Sequence, residues 1–172
     1  LVVGQFTKDK NQKLLIRALT EFKRRVPSLQ AVFVGGGPEE EHCKALAREI
    51  QADGYAHFLG FRQDVPDLCK VADIHVSSSV REGQGINNIE AMASGCALVV
   101  SDIRGHRDVC QDGRNGYLFS LAEPEQFIEA VERLANDASL RESISQTNLH
   151  DAEKFSIQRE VNAMADIYRT LM

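Results

Sequence analysis

At 172 residues and 19.1 kDa, the chain has the size of one domain or of a large piece of a two-domain protein, and it can bury a substantial core without disulfides or metal. Its composition, 43% hydrophobic and 26% charged, excludes the disordered, collagen-like and coiled-coil classes, and no apolar run approaches the roughly 18 residues of a membrane-spanning helix. A formal net charge of -5 argues against binding nucleic acid or anionic membranes by bulk charge. The expected folded surface is about 8,000 Å².

Short apolar or β-branched runs alternate with longer amphipathic segments along the chain. This alternation is typical of the α/β class, and it predicts a Rossmann-like, doubly wound parallel sheet of about six strands with helices on both faces. Several runs are apolar throughout, as expected for strands buried on both faces. The predicted strands are Leu1–Val3, Gln30–Val34, Ala56–Leu59, Ile74–Ser77 and Ala97–Ser101, with a short edge strand at Tyr117–Phe119.

Helices are predicted between the strands and after the last one. The first has apolar residues at helical spacing from Leu14 to Val26 and ends before Pro27. Beyond Pro124 three consecutive helices follow, the last at Glu153–Leu171. The other predicted helices are Glu39–Ile50, Val65–Lys70 and Asn87–Ser94, which Gly95 stops.

The cysteines give no sign of a disulfide framework or a zinc site. They lie far apart, without a Cys-x-x-Cys pair, and we expect reduced, mostly buried thiols at Cys43, Cys69, Cys96 and Cys110. Asp64 and Asp67 do not form an Asp-x-Asp metal motif and are predicted to cap a helix. No bound metal is expected.

In a doubly wound sheet, ligands bind at the carboxyl ends of the strands, and the most informative strand-end loop here is 77–90. Gly83 and Gly85 frame the start of a helix, where a glycine backbone and free N–H groups favour a phosphate. Glu82 and Glu90 are expected to face the same crevice. Because carboxylates accept hydrogen bonds from sugar hydroxyls, a glutamate on each side of a diphosphate suits a ligand with a sugar and a ribose.

The segment Glu82-Gly-Gln-Gly-Ile-Asn-Asn-Ile-Glu90-Ala-Met-Ala-Ser-Gly95, with the valine-rich strand after it, resembles the signature of nucleotide-sugar-dependent glycosyltransferases of GT-B fold, in particular the retaining group called family 4. The resemblance covers almost the whole chain in the family's order. It continues through Val3-Gly4, Lys10, Phe33-Val-Gly-Gly-Gly-Pro38, Phe58-Leu-Gly60, Ala72-Asp73 and Asp112-Gly-x-Asn-Gly-Tyr-Leu-Phe119.

The resemblance implies that Glu82 binds hydroxyls of the donor sugar and that Glu90 binds those of the nucleotide ribose. Lys10 matches the family lysine on the diphosphate, so Lys10 and Glu82 are the candidate catalytic residues. Backbone contacts to the sugar and diphosphate are expected from Gly83, Gln84, Gly85 and Ile86. The loop at Phe61 and Arg62 matches the one whose backbone meets the base.

Gln5 departs from the family pattern, which usually has arginine directly after the strand glycine, here Gly4. Glutamine is neutral, so the positive charge that arginine would place beside the two phosphates is missing at this position. Either Lys10 carries that task alone or another cation compensates, the candidates being Lys8, Arg81 and Arg104. Gly36, in the triple glycine of residues 35–37, is expected to form a tight turn that lines the crevice.

By resemblance, residues 1–172 are the donor-binding half of a hexosyltransferase that moves a sugar from a UDP- or GDP-linked donor to an acceptor hydroxyl with retention, in polysaccharide, lipopolysaccharide or glycolipid biosynthesis. The nucleotide sugar is substrate, and no cofactor is expected. The chain looks like an excised fragment without the N-terminal acceptor domain, toward which the last helix would return. We expect the fragment alone to be inactive and the protein to be cytoplasmic. No nucleic-acid partner is expected. Association with the membrane, at the inner face of the cytoplasmic membrane, would occur only through the absent half.

Two other functions are compatible with the sequence. A nucleotide-sugar 2-epimerase shares the fold and the donor, and a non-catalytic nucleotide-sugar-binding module would act with a separate acceptor subunit. Of the histidines, His75 lies in an apolar strand and is predicted to be a core residue with satisfied hydrogen bonds. His106 follows the fifth strand and could reach the mouth of the pocket, where it would contact donor or acceptor.

Overall fold

Parallel strands form the centre of the structure, a computed structural model in which residues 1–171 are described, and helices lie on both faces of the strands. The strands are β1 (Val2–Val3), β2 (Ala31–Val34), β3 (Ala56–Phe58), β4 (Ile74–Ser77), β5 (Ala97–Ser101) and β6 (Gly116–Phe119). This is the predicted α/β, Rossmann-like fold, and the strand prediction is confirmed with boundaries that shift by one residue or less.

The strands form two three-stranded parallel sheets, β1-β2-β3 and β4-β5-β6, where one sheet was expected. The two sheets meet at β1 and β4, because Leu1 N donates to Ile74 O at 2.7 Å and Val76 N donates to Leu1 O at 2.9 Å. The strands therefore follow the order 3-2-1-4-5-6. The six strands count as two sheets because β1 has only two strand residues.

Eight α-helices are present in residues 1–171: α1 (Gln12–Arg25), α2 (Glu40–Glu49), α3 (Val65–Val71), α4 (Ile86–Ala93), α5 (Arg104–Arg107), α6 (Pro124–Asn136), α7 (Ala138–Ala152) and α8 (Ile157–Thr170). The short α5 was not predicted, since four residues are too few to show a helical period. The single helix expected over Glu153–Leu171 is also wrong. A 3-10 turn at Glu153–Phe155 is followed by Ser156 in an extended conformation (φ -68°, ψ 139°), and α8 begins after it.

The core consists of two hydrophobic clusters, one on each face of the sheet. Successive residues of β5 are fully buried and alternate between the clusters, Ala97 and Val99 packing on one side and Leu98 and Val100 on the other. A strand buried on both faces loses the polar–apolar alternation of a surface strand, which is why this run is apolar throughout.

All four cysteines are buried and free, as the sequence predicted. Burial raises the pKa of Cys43 to about 11 and that of Cys110 to about 12, so both remain thiols at neutral pH. Among the described residues, no helix is long and apolar enough to cross a membrane.

The accessible surface measures 9483 Å², more than the scaling estimate of about 8,000 Å². The helix α8 adds to this surface, since none of its residues is buried. Its apolar side chains face solvent at Ile157, Val161, Met164, Ile167 and Tyr168.

Candidate functional site

The loops at the carboxyl ends of β1, β2 and β3 are joined by backbone hydrogen bonds. Phe6 N donates to Gly36 O at 3.0 Å, and Gly35 N donates to Gly60 O at 2.8 Å, so the predicted residues Gly36, Phe61 and Arg62 lie in neighbouring loops. The loops after β1 and β2 can lie this close only with glycine at position 35, because a Cβ at Gly35 would stand 2.1 Å from Gly4 O. The predicted tight turn at 35–37 is therefore packed directly on the loop after β1.

The amino end of α4 lies beside the end of β1. Asn87 Nδ2 donates to Val3 O at 2.6 Å, which fixes the first turn of the helix next to Gly4. Gly85 is the N-cap residue and adopts φ 67°, ψ 60°, a left-handed conformation that favours glycine. No side chain of the described chain caps this terminus and its first turn holds no acidic residue, so its N–H groups and dipole favour an anion.

Lys10 and Glu82, which are 72 residues apart in sequence, form an ion pair in the structure. The amine of Lys10 lies near Gly4, where a Cβ would be 4.0 Å from Nζ. Glu82 Oε1 also accepts a hydrogen bond from Ser79 Oγ at 2.8 Å. The exposed fractions of the Lys10 and Glu82 side chains are 25% and 13%, so this pair is partly screened from water at the edge of the sheet.

Of the other predicted ligand residues around the start of α4, Gly85 is buried and the rest are open to solvent. Gly83, Gln84 and Glu90 are exposed, and Ile86 is 67% exposed. Glu90 lies four residues after Ile86 and therefore on the same stripe of α4. Within residues 1–171 its carboxylate makes no ion pair or hydrogen bond, so it is free to accept bonds from a ligand.

The loop after β3 presents Phe61, 80% exposed, and Arg62. Arg62 donates from Nε and Nη2 to the Asp64 carboxylate at 2.8 and 2.6 Å. Asp64 is the N-cap residue of α3 but makes no side-chain cap, so the prediction of a capping carboxylate is wrong at this position. Asp67, also predicted as a cap, instead pairs with Lys70 at 2.9 Å.

Gln5 is exposed, and only its backbone is held, since Gln12 Nε2 donates to Gln5 O at 2.9 Å. Of the three cations considered as substitutes for the family arginine, Arg81 pairs with Asp9 at 2.9 Å. Lys8 and Arg104 are exposed. Lys10 is the cation that the structure brings to Glu82.

The two histidines differ from expectation. His106 is fully buried beneath the loop rather than at its mouth, and a Cβ at Gly85 would lie 3.5 Å from its Cδ2. His75 is buried as predicted, but only one ring nitrogen is satisfied: Nε2 lies 3.0 Å from Asn88 Oδ1, and Nδ1 has no partner in the described chain. Burial lowers the pKa of His75 to about 3, so the ring is neutral.

Sequence reasoning missed Gly105. A Cβ at this position of α5 would stand 2.6 Å from the carbonyl oxygens of both Glu82 and Gly83, so only glycine lets α5 approach the loop. Its place shortly after a strand was the available signal. Missed as well were the buried hydroxyls of Ser77, Ser79 and Ser101, which connect the loop to His106.

The candidate site is an open edge and not an enclosed cavity. A cavity of about 260 Å³ lies beside it, lined by Thr7, Lys8, Asn11, Gln12, Lys13, Glu39 and Cys43. A larger one of about 460 Å³ lies near the amino ends of β1, β2 and β4 and includes none of the predicted ligand residues. No group of three or more His, Cys, Asp or Glu side chains in residues 1–171 is placed to hold a metal ion.

The strand order and the loops at the carboxyl edge define the Rossmann-like class of α/β domain, in which ligands bind at that edge. Residues 1–150 match the family described as Glycosyl transferases group 1. The chain belongs to this family and has the fold of a C-terminal GT-B domain.

Similar proteins agree with this assignment. The chain is 38% identical over 164 residues to the putative glycosyltransferase EpsD of Bacillus subtilis, covering 95% of this chain and 43% of EpsD. It is 25% identical to Anabaena Alr3699/HepE, solved in complex with UDP and glucose, with a TM-score of 0.86. The match covers 98% of this chain and 48% of HepE. The C-terminal domain of LpcC from Francisella tularensis, a glycosyl transferase group 1 family protein, is also 25% identical, with a TM-score of 0.81. The match covers 91% of this chain and 85% of the LpcC domain. The chain thus spans less than half the length of EpsD and HepE.

Proposed function

We propose that this chain is the donor-binding half of a retaining family 4 glycosyltransferase, which transfers a hexose from a nucleotide diphosphate sugar to an acceptor hydroxyl. The observation that carries the proposal is the Lys10–Glu82 pair beside the uncapped N-terminus of α4. A cation and a helix terminus suit the diphosphate, and a carboxylate suits the hydroxyls of the sugar. The UDP and glucose bound by HepE support this ligand class.

The proposed chemistry is electrostatic. When the nucleoside diphosphate departs, negative charge builds on the leaving oxygen, and Lys10 with the N–H groups at Gly83–Ile86 would stabilise that charge. A well-placed donor of this type contributes roughly 3 to 4 kcal/mol to the transition state. Glu82 would hold the sugar in place through its hydroxyls. No metal ion or cofactor takes part in this scheme.

The remaining contacts are assigned by position along the edge. Glu90, exposed and unpaired within residues 1–171, would accept the ribose hydroxyls. The backbone at Phe61 and Arg62 would meet the base, with Gly4, Gln5 and Gly36 lining the diphosphate. The acceptor domain would be supplied by the rest of the protein. We propose a cytoplasmic enzyme of polysaccharide, lipopolysaccharide or glycolipid biosynthesis, which meets its membrane through that other domain.

The test separates the two halves of the ligand in the full-length protein by comparing UDP with UDP-glucose in titration calorimetry. Lys10→Ala should weaken both ligands by roughly 10- to 100-fold, because a charge-assisted phosphate contact is lost. Glu82→Ala should weaken UDP-glucose alone, since UDP lacks the sugar. UDP itself should bind as well as before or better, because Lys10 loses its carboxylate partner.

Lys13→Ala is the matched control. Lys13 and Glu39 form a second lysine–glutamate pair on the same side of the molecule, and its loss should leave both affinities unchanged. Normal transfer activity in Glu82→Ala would contradict the proposal. An epimer formed from labelled donor without acceptor would identify an isomerase instead.

A further inference from the structure

Buried polar side chains lie in a row between Glu82 and His106. Ser79 Oγ donates to Glu82 Oε1 at 2.8 Å, Ser77 Oγ lies 3.3 Å from Ser79 Oγ, and His106 Nε2 lies 3.4 Å from Ser77 Oγ. The exposed fractions of Ser77, Ser79 and His106 are 5%, 0% and 0%. We call Ser79, Ser77 and His106 the hydroxyl row. It starts on a loop and ends on α5.

The far end of the row is fixed to a strand. His106 Nδ1 lies 2.8 Å from Ser101 O, and a carbonyl oxygen only accepts, so Nδ1 carries the hydrogen. Nε2 of the neutral ring then accepts from Ser77 Oγ. Each hydroxyl has one hydrogen and Ser79 gives its own to Glu82, so the 3.3 Å contact between Ser77 Oγ and Ser79 Oγ is a packing contact and not a hydrogen bond. Ser101 Oγ also donates to Ser79 O at 2.6 Å, which ties β5 to the same loop.

A second contact joins α5 to Glu82, independently of the row. Gly105 packs against the backbone carbonyls of Glu82 and Gly83 so closely that a Cβ would stand 2.6 Å from each. Arg107 Nε and Nη2 donate to Asp102 at 2.5 and 2.9 Å and hold α5 to the end of β5. The short helix thus supports the Glu82 backbone through Gly105.

The two carboxylate oxygens of Glu82 differ in the hydrogen bonds that they accept. Lys10 and Ser79 both donate to Oε1, whereas Oε2 receives no hydrogen bond from the described chain. If a diphosphate drew the Lys10 amine away, Ser79 would still hold Oε1. The carboxylate would keep its orientation, with Oε2 directed to hydroxyl groups.

We propose that Ser79 and His106 are positioning residues for Glu82, and that the hydroxyl row sets how tightly the sugar, and not the nucleotide, is bound. The proposal rests on the proposed function, in which Glu82 receives the donor sugar. His106 touches no ligand in this scheme. It acts through Ser101, whose carbonyl oxygen it holds and whose hydroxyl donates to Ser79 O, and through Ser77, which packs against Ser79 Oγ.

The experiment compares UDP with UDP-glucose in the full-length protein for Ser79→Ala and His106→Leu. Each variant should weaken UDP-glucose, by about tenfold for Ser79→Ala, which removes a hydrogen bond to a charged group, while UDP affinity stays the same. A role in folding alone would weaken both ligands together. In a Glu82→Ala background neither change should have a further effect, because the group that the row positions is gone.

His75→Leu is the matched control, a second fully buried histidine whose ring contacts Asn88 and not the hydroxyl row. It should lower the melting temperature without changing the ratio of the two affinities. Should His106→Leu fail to fold, Ser79→Ala carries the test, since it removes one oxygen atom.

One result would overturn the positioning role alone, and a different result would overturn the proposed function as well. If Glu82→Ala weakens UDP-glucose selectively but Ser79→Ala and His106→Leu do not, the positioning role is overturned and the proposed function stands. If the protein binds UDP and UDP-glucose alike and Glu82→Ala changes neither, the proposed function fails, and the positioning role fails with it.

Discussion

Gln5 is the residue at which the sequence departs most clearly from the expected family pattern, arginine after the strand glycine. Its side chain is exposed directly after Gly4, and its backbone oxygen is held by Gln12. A change of side chain there leaves that backbone bond intact. The position is thus suited to adding the missing charge without disturbing the loop.

Gln5→Arg should strengthen UDP binding by roughly tenfold, because a second cation reaches the diphosphate. Calorimetry with UDP measures this. The same substitution at Gln51, exposed at the carboxyl end of α2 just before β3 and so at the opposite edge of the sheet, is the control and should have no effect. Equal gains in both variants would show that only net charge matters.

His75 makes the stability of the fold depend on pH. Burial lowers its pKa from 6.5 to about 3, so between these values the unfolded chain takes up a proton that the folded chain does not. Stability is therefore full above pH 6.5 and falls as the pH drops below it. The expected loss between pH 7 and pH 5 is about 2 kcal/mol from this residue.

Urea unfolding at pH 7 and pH 5 tests this prediction. His106 and the ion-paired carboxylates also respond to acid, so the wild type is compared with His75→Leu. The variant should lose less stability on acidification, by about the same 2 kcal/mol. A loss of equal size in both proteins would disprove the contribution of His75.

At the scale of elements, α8 differs from every other long helix. α1, α4 and α6 each bury one face against the sheet or a neighbouring helix, whereas α8 has no buried residue. Its amphipathic pattern is nevertheless clear, with Ile157, Val161, Met164 and Tyr168 on one stripe. The pattern predicts a helix, and it does not predict that the helix packs on this domain.

Removal of residues 157–172 should therefore change the melting temperature of this chain by no more than about 3 °C, because hardly any apolar contact is lost. Thermal unfolding followed by circular dichroism measures it. Removal of residues 138–172 also takes away the buried Ile144 and Asn148 of α7, and that chain should unfold. A large loss in the shorter truncation would show that α8 packs on the domain in solution.

At the scale of the whole molecule, the carboxyl edge of the strands is where loops from both sheets meet. Gly4 and Lys10 follow β1 of the first sheet, whereas Ser79 and Glu82 follow β4 of the second. The site therefore exists only when the two sheets are joined at β1 and β4. A ligand bound across this junction should stabilise the whole fold.

A panel of UDP- and GDP-linked hexoses scored by melting temperature tests this directly. A ligand at about 100 times its dissociation constant adds roughly 2.7 kcal/mol, or about 5 to 10 °C for a domain of this size. At least one nucleotide sugar should reach this shift, and adding Glu82→Ala should reduce the shift for the sugar but not for the nucleotide alone. A panel without any shift would argue against a nucleotide-sugar site.

Features that depend on neighbouring residues could be predicted from the sequence: the alternation of strands and helices, the apolar run of β5, and Glu82 and Glu90 on either side of two glycines at the start of α4. These follow from local periodicity and from the backbone freedom of glycine. Contacts between distant segments became visible only in the folded chain, namely the pairing of Lys10 with Glu82, the burial of His106 beneath the loop, and the absence of a partner for α8 within residues 1–171. Such contacts depend on strand order and on how closely two loops approach, and no short stretch of residues encodes either.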